Sequence, residues 1–231
     1  MGQQQSMLQS KFVVETTLLC MIICFTKKLD FSCLFFIGYS YFMITGYPIY
    51  DSNNAEVITE TVNATFMNSR VCDNQLNYPE QVEFATGGLV GDTTLLICGG
   101  QREGRDITDK CYTYDFKSSQ NKWLNHTSMT TARVFSSSVV IQNDMLWITG
   151  GNYKYENTLA TTELISLNRT KLSSPNLIEP IESHCMVSFG EMIFIIGGAK
   201  TPLLDSKGVT QVSMYLADDI VNGIIRPKEC N

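Results

Sequence analysis

Short apolar runs separated by polar turns recur along most of the chain, and three of these runs end in a pair of glycines. The runs with their glycines occupy residues 95–100, 146–151 and 193–198. Each run is short and rich in aliphatic, β-branched or aromatic residues, which predicts a buried strand. Because glycine permits positive φ and close backbone approach, each doublet is expected to end its strand.

Further strand candidates flank each run. Upstream segments lead into the runs through tight turns that contain Gly, Asn or Asp, which predicts hairpins. The turns are Gly91-Asp92, Asn143-Asp144 and Gly190-Glu191. Downstream, a polar loop leads from each doublet to a third strand candidate, at residues 110–114, 162–166 and 211–215. Residues 55–59 resemble residues 162–166 and indicate a fourth copy that has no doublet before it.

These segments form a repeat. The first glycines of successive doublets are 51 and 47 residues apart, and a period of about 50 residues with four short strands is typical of a propeller blade. The apolar run with its doublet, the pattern Tyr112-x-Tyr114 and the downstream Trp123 resemble the kelch repeat, over residues 55 to about 215. The stretch from Gly87 to Tyr112 is similar to kelch-like propellers of secreted or cell-surface proteins. The second and third copies depart from the pattern because they lack the downstream Trp.

The resemblance implies an all-β fold of kelch-type β-propeller blades, each a four-stranded antiparallel sheet. It implies a structural role for the doublet glycines and for aromatic residues that anchor the blades. These residues are Gly99, Gly100, Gly150, Gly151, Gly197, Gly198, Tyr112, Tyr114, Trp123 and Trp147. We expect partial outer strands and a linker over residues 47–80, blades over 81–127 and 128–178, and an incomplete blade over 179–231.

The first 50 residues differ from the repeats. Residues 31–50 carry no charge, follow Lys27 and Lys28, and end before Asp51. About 20 mostly apolar residues can span a bilayer, and the strongest part has the length of the apolar core of a signal peptide. The two lysines place the N-terminus on the cytosolic side. We predict a signal peptide or signal-anchor over residues 1–46, with a membrane anchor through residues 31–50 as one form. The alternative is a buried core segment of a soluble protein.

Chain length limits how many blades can form. Without the predicted leader about 185 residues remain, and at about 50 per blade they supply about three blades and part of another. Closed propellers usually have about four to eight blades. We therefore expect an open or incomplete ring, which is a truncated gene product, part of a longer protein, or half of an oligomer that completes the ring.

Three N-x-T sequons begin at Asn63, Asn125 and Asn168, all on the predicted lumenal side. The sequons and the leader together favour secretion or a single-pass type II membrane topology. Both would place the propeller outside the cell or in a lumen.

Five of the eight cysteines lie beyond the apolar N-terminal region. Cys98 ends the second strand and Cys111 opens the third strand of the same blade, so the geometry permits a disulfide. Two buried free thiols are the alternative. The odd number means that at least one cysteine stays free or pairs elsewhere, and the pairing of Cys72, Cys185 and Cys230 stays open.

The composition of the chain argues against several classes of function. The 231 residues are 44% hydrophobic and 17% charged, with a net charge of -6, which argues against disorder and against nucleic-acid binding. Only His126 and His184 are available for metal or acid–base chemistry, and no nucleophile, zinc or phosphate-loop motif is present. We therefore expect a non-enzymatic protein without a metal or cofactor. Kelch propellers also resemble the central domain of galactose oxidase, a copper enzyme. His126 lies in a sequon, which is more typical of a surface loop than of a metal ligand, and His184 comes just before a strand, which is more typical of a packed or capping residue.

A charged cluster follows the first doublet and is a candidate contact loop, because propellers bind partners through loops at one face. It consists of Arg102, Glu103, Arg105 and Asp106, and a solvated loop is the alternative. We expect a non-enzymatic extracellular or lumenal module that binds a protein or glycan through its loops. The alternatives are a degenerate or truncated member of a secreted galactose-oxidase-like kelch family and an intracellular kelch adaptor.

Overall fold

A computed structural model describes residues 33–37, 40–44, 60–63, 78–120, 122–154, 157–200 and 211–229. The regular secondary structure of the described residues is almost entirely β-strand. The strands are β1 Cys33–Ile37, β2 Ser40–Ile44, β3 Glu60–Asn63, β4 Thr86–Val90, β5 Thr94–Cys98, β6 Cys111–Asp115, β7 Leu124–Asn125, β8 Ser137–Ile141, β9 Met145–Thr149, β10 Asn152–Tyr153, β11 Asn157–Thr158, β12 Thr162–Ser166, β13 Lys171–Leu172, β14 Cys185–Phe189, β15 Met192–Ile196, β16 Val212–Leu216 and β17 Lys228–Glu229. One short helix, α1, spans Ala217–Val221.

The strands form antiparallel sheets that follow one another along the chain. Sheet 1 has the order β1-β2-β3, sheet 2 the order β4-β5-β6-β7, sheet 3 the order β8-β9-β12-β13 and sheet 4 the order β14-β15-β16-β17. A separate two-stranded hairpin, β10-β11, lies in the loop after the doublet of sheet 3. Sheet 4 was expected to be incomplete, but it has four strands because residues Lys228–Glu229 pair with Ser213 and Met214.

The sheets are arranged like propeller blades around an axis. The inner strands are neighbours in sequence order, with β1 beside β4, β4 beside β8 and β8 beside β14. Apolar side chains fill the spaces between sheets. Leu96 and Cys98 of sheet 2 pack with Leu146 and Ile148 of sheet 3, and Trp147 on the other face of sheet 3 packs with residues of sheet 4. Over the described residues the sheets form an open, unclosed propeller-like arc.

The described part of the predicted leader consists of two strands. Residues Cys33–Ile37 and Ser40–Ile44 form a hairpin in which Cys33 faces Ile44 and Ile37 faces Ser40. β2 also pairs with β3, so this segment is part of a sheet rather than a helix. Continuous apolar runs of five residues are typical of strands buried on both faces, which explains why the same pattern suited two interpretations. The rest of residues 1–46 and the strand predicted at 55–59 lie outside the described residues.

None of the helices in the described part of the chain is long and apolar enough to cross a membrane.

The predicted disulfide is present. Cys98 faces Cys111 in the register of β5 and β6, and the bond joins two Cα atoms 4.1 Å apart. Both cysteines are buried between sheets 2 and 3. Cys185 at the start of β14 is also disulfide-bonded.

Removal of the Cys98–Cys111 bond should destabilise sheet 2. The bond closes a segment of 13 residues, for which chain entropy gives about 3 kcal/mol of stabilisation. We expect the Cys98→Ala/Cys111→Ala variant to lose about that much free energy of unfolding in urea titrations. Alanine is chosen because serine would add buried hydroxyl groups. Peptide mapping without reductant should recover the linked peptides from the wild type. Two free thiols, or equal stability of the two proteins, would contradict the bond.

Candidate functional site

The glycine doublets join each sheet to the next. The second glycine of a doublet donates its N–H to a carbonyl in the segment that leads into the following sheet: Gly100 to Arg133 at 3.0 Å, and Gly151 to Ile181 at 2.8 Å. A Cβ on Gly99 would lie 2.7 Å from the Arg133 carbonyl oxygen. The doublets are therefore structural, and they fix one end of the arc. We call this end the loop face, where β4, β8 and β14 begin and β5, β9 and β15 end.

Three equivalent residues at the loop face have left-handed backbones. Phe84, Phe135 and Ser183 come shortly before the inner strands of sheets 2, 3 and 4, with φ of 57°, 57° and 52°. Positive φ is uncommon for bulky residues. The two aromatic rings lie 4.6 Å apart between centroids, and the Ser183 N–H donates to the Phe135 carbonyl at 2.9 Å. The residues thus line successive positions at one end of the axis.

The charged loop after the first doublet divides into inward and outward parts. Arg102 donates to Glu80, Asp106 and Thr108, at 2.9 Å, 2.7 Å and 2.9 Å, so its guanidinium is engaged within the protein. Glu103, Arg105 and Asp106 are exposed, and residues Glu103–Arg105 form a single tight turn. Of the predicted contact residues, those three are the ones that face solvent.

Glu80 forms ion pairs with two basic residues of the loop between β5 and β6. Its carboxylate accepts from Lys110 at 2.6 Å, from the Tyr112 hydroxyl at 2.7 Å and from Arg102. Burial alone would raise the pKa of Glu80, but the hydrogen bonds from Lys110, Tyr112 and Arg102 outweigh it and lower the pKa. Tyr112, predicted as an anchor, therefore also orients this carboxylate.

A buried ion pair supports the corresponding loop of sheet 3. Arg133 has no exposed side-chain surface and donates to Glu163 at 3.1 Å and to the carbonyls of Gly150 and Thr161 at 2.8 and 2.9 Å. The Glu163 carboxylate also accepts the backbone N–H groups of Thr130 and Thr131. Burial lowers the pKa of Arg133, and the charge of Glu163 opposes that effect. The pair thus links the first glycine of the doublet to the loop that leads into sheet 3.

A second buried carboxylate, Glu182, lies between sheets 3 and 4. It accepts from the Asn152 amide nitrogen at 2.6 Å and from the Thr158 hydroxyl at 3.1 Å. Glu182 and Asn152 are each 1% exposed. The Glu182 carboxylate therefore lies against the hairpin β10-β11, from which both donors come.

His184 lies within the same interface. Its Nε2 is 2.7 Å from the Thr149 hydroxyl oxygen, and a Cβ on Gly150 would come 3.1 Å from its ring. Burial lowers the pKa of His184 to about 3. It is thus a packed, neutral side chain at neutral pH.

Stability should fall in mild acid because of His184. An unfolded histidine takes up a proton near pH 6.5, whereas the buried ring resists it, so this stabilisation is complete above pH 6.5 and is lost as the pH falls toward 3. We expect a slope of up to about 1.4 kcal/mol per pH unit in that window. Urea unfolding of wild type and His184→Gln at pH 7, 6 and 5 measures it. Identical slopes in the two proteins would contradict the assignment.

The other predicted residues lie away from the loop face or in the core. Trp123 packs with Tyr78 and Tyr114, with ring centroids 5.0 and 5.4 Å apart. Trp147 is fully buried between sheets 3 and 4 and donates its indole N–H to Ser174 at 3.1 Å. Of the sequons, Asn125 and Asn168 are exposed, and Asn63 ends β3. Gly197 and Gly198 have φ of 67° and 97°, like the other doublets.

One face of sheet 4 remains partly open. Val187, Phe194 and Met214 face one another across β14, β15 and β16 and are all half-exposed. Phe194 follows Trp147 by 47 residues, the spacing of the doublets, and Trp147 is the residue that sheet 4 buries. Sheet 3 buries the face with Trp147 against sheet 4. The equivalent face of sheet 4, with Phe194, is therefore only partly covered.

The sequence analysis missed Glu80, Arg133, Glu163, Glu182 and the left-handed residues. One signal was available: Phe84 and Phe135 are 51 residues apart, which is the spacing of the first two doublets. The equivalent Ser183 lies one residue closer to its doublet, because the turn between β14 and β15 is one residue shorter than the turns of sheets 2 and 3. The ion pairs carry no such signal because their partners differ from sheet to sheet.

No protein-family model matches the chain, and no curated protein matches it.

The solved structure of YjhT has a similar fold. It superimposes with a TM-score of 0.69 at 9% sequence identity, over 88% of this chain and 65% of that chain. The present chain thus spans about two thirds of the length of that structure. At this identity the likeness shows the fold alone.

Proposed function

We propose that the protein is a non-enzymatic interaction module of kelch type that binds a protein or a glycan through its loop face. The observation that carries the proposal is the convergence of loops from successive sheets at one end of the axis. Phe84 and Phe135, which lie just before the inner strands of sheets 2 and 3, have strained left-handed backbones, and their rings are in contact. Backbone strain of this kind concentrates at binding sites. The exposed charged turn at Glu103–Arg105 lies in one of these loops.

Secretion or a type II membrane topology is part of the proposal. The Cys98–Cys111 disulfide in sheet 2 and the exposed sequons at Asn125 and Asn168 fit an oxidising compartment. Sensitivity of the expressed protein to an N-glycosidase tests this compartment. A protein that carries no glycan and remains in the cytosol would favour the intracellular adaptor instead.

Two charge-matched variants test the loop face. Glu103→Lys/Asp109→Lys reverses exposed acids in the loop after the first doublet, and Asp144→Lys/Glu191→Lys reverses exposed acids at the opposite, hairpin end. On a glycan array and on a panel of extracellular proteins, we expect the first variant to lose at least tenfold in affinity for the ligand of the wild type. The second variant should bind within about twofold. Equal loss in both variants would contradict the proposal.

A second candidate function, assembly with another copy of the chain, rests on the half-open face of sheet 4. Phe194 occupies the place of the fully buried Trp147, and Phe189 beside it is 52% exposed. Burial of such a face by a second copy removes apolar surface from water. Light scattering should give about twice the chain mass of 25.9 kDa for the wild type and the chain mass for Phe194→Asp. A monomeric wild type would contradict this candidate without affecting the loop-face proposal.

A further inference from the structure

Two of the three sequons contact each other in the folded protein, although they are far apart in the sequence. The first, residues 125–127, begins in the outer strand β7 of sheet 2, and the second begins at Asn168 in the turn between β12 and β13 of sheet 3. The Thr127 hydroxyl donates to the Arg169 carbonyl at 2.9 Å. The imidazole Nε2 of the first sequon is 3.4 Å from the Leu167 carbonyl oxygen. The two sequons therefore run side by side where the outer parts of sheets 2 and 3 meet.

The local turn fixes the side-chain amide of Asn168. Its Oδ1 accepts the Thr170 N–H at 3.1 Å and the Thr170 hydroxyl at 2.7 Å, and the Ser166 hydroxyl also donates to it. All these hydrogen bonds use the amide oxygen, whereas an N-glycan is attached to Nδ2. Asn168 and Asn125 are both exposed. The folded protein therefore has room at both asparagines for an attached sugar, and the hydrogen bonds of Asn168 are compatible with one.

Exposed apolar side chains lie next to both asparagines. Leu124 in β7 is 42% exposed and Leu172 in β13 is 40% exposed. Leu124 directly precedes Asn125, and Leu172 follows the sequon of Asn168 by two residues. β7 and β13 are the last strands of sheets 2 and 3 in the described part of the chain. Strand edges with exposed apolar side chains favour association between protein molecules unless something covers them.

We propose that Asn125 and Asn168 both carry N-glycans, and that these two adjacent glycans cover the exposed outer edges of sheets 2 and 3. An N-glycan is bulky and solubilising, so a glycan beside each exposed leucine hinders the approach of a second protein molecule to these edges. The inference rests on the proposed passage of the chain through a lumenal compartment. It does not depend on the partner of the loop face.

The attachment is a glycosyl transfer from an oligosaccharide that is linked to a lipid through pyrophosphate. The asparagine Nδ2 forms a bond to C1 of the first sugar, and the bond between C1 and the pyrophosphate oxygen breaks. The lipid pyrophosphate leaves, and one amide proton passes to a base of the transferase. The transferase recognises the N-x-T triplet and acts as the chain enters the lumen, before the chain folds. The later hydrogen bonds of Asn168 therefore do not block the reaction.

Site occupancy tests the modification. The full chain is expressed in animal cells behind a heterologous signal peptide, so that entry into the lumen does not depend on its own N-terminal segment. An N-glycosidase converts a glycosylated asparagine into aspartate, and peptide mapping then identifies each occupied site. We expect occupancy at both Asn125 and Asn168 in the wild type, and at Asn168 alone in Asn125→Gln. An unoccupied asparagine in the secreted wild type would overturn the inference. Glycans on the fused chain but not on the native chain would instead contradict only the proposed compartment.

Light scattering of the secreted protein before and after N-glycosidase treatment tests the covering of the edges. The aspartate that the enzyme leaves keeps an oxygen acceptor for Thr170, so the turn is preserved. We expect the deglycosylated protein to aggregate at least about threefold faster at equal concentration. Leu124→Thr/Leu172→Thr should abolish this difference, because threonine suits a strand without an exposed apolar side chain. The control Ile178→Thr, which replaces a side chain that is 69% exposed and lies outside both strands, should retain it. Equal rates before and after treatment, or a difference that persists in the leucine variant, would overturn the proposed covering.

Discussion

Gly150→Ala should unfold the protein, whereas Gly190→Ala should leave it folded. Both glycines have nearly the same φ, 58° and 59°, so the conformational cost of an alanine, about 1–2 kcal/mol, is common to the two positions. The two positions differ in the space available for a Cβ atom. A Cβ on Gly150 would lie 2.1 Å from the Ile181 carbonyl oxygen, whereas nothing lies within 4 Å of one on Gly190.

The clash at Gly150 involves backbone, which cannot move without separating sheet 3 from the segment that leads into sheet 4. We therefore expect a loss of more than about 4 kcal/mol in the free energy of unfolding, enough to prevent folding and secretion, and a larger loss for Gly150→Val. Urea unfolding and the yield of secreted protein measure it. Equal stability of the two alanine variants would mean that the doublet does not join the sheets.

Arg133→Met should cause the second large loss. Arg133 has no exposed side-chain surface and serves Glu163, Gly150 and Thr161 together. Its removal leaves a buried carboxylate without its cation and takes a donor from two carbonyls. We expect a loss of about 3–5 kcal/mol, measured as the shift of the urea midpoint at unchanged m-value.

Lys200→Met is the matched control for Arg133→Met. Lys200 forms an ion pair with Glu179 in which both side chains are about half exposed, and exposed pairs contribute about 0–1 kcal/mol. A double-mutant cycle with Glu163→Gln adds a second comparison, because the two changes should not be additive if the residues interact. Losses of similar size in Arg133→Met and Lys200→Met would contradict the structural role of the buried pair.

The repeat explains why the strand order could be predicted from the sequence. Each doublet, each hairpin turn at Asn143 or Gly190, and each following strand is a local pattern that acts within about ten residues. The structure has strands at all these places, with shifts of one residue, as in Cys111–Asp115 against the predicted 110–114. The outer strands were less certain because the copies after Trp123 lack its counterpart, and these strands are only two residues long.

The apolar N-terminal segment shows the limit of local patterns. A run such as Cys33–Ile37 suits a membrane segment, a signal peptide or a doubly buried strand, because hydrophobicity alone does not specify the partner surface. The pairing of this run with Ser40–Ile44 and Glu60–Asn63 is long-range information. No local signal in the sequence contains it.

The side-chain clusters at the loop face could be predicted only in part. Phe84 and Phe135 recur at the doublet spacing, so an alignment of the copies finds them. Glu80, Glu163 and Glu182 do not recur at matching positions with matching partners. Each of these carboxylates has different partners, and the contacts join segments that are about 20–30 residues apart in the sequence.

Hydrogen–deuterium exchange of the purified protein, with and without the strongest ligand from the glycan array or the extracellular protein panel, tests the role of the loop face most directly. The proposal predicts added protection in residues 78–85, 101–109 and 130–136, which form the loop face of sheets 2 and 3. It predicts no change at the hairpin turns near Asp92, Asn143 and Glu191. Protection confined to those turns, or to the half-open face around Phe194, would contradict the proposal that the protein binds through its loop face.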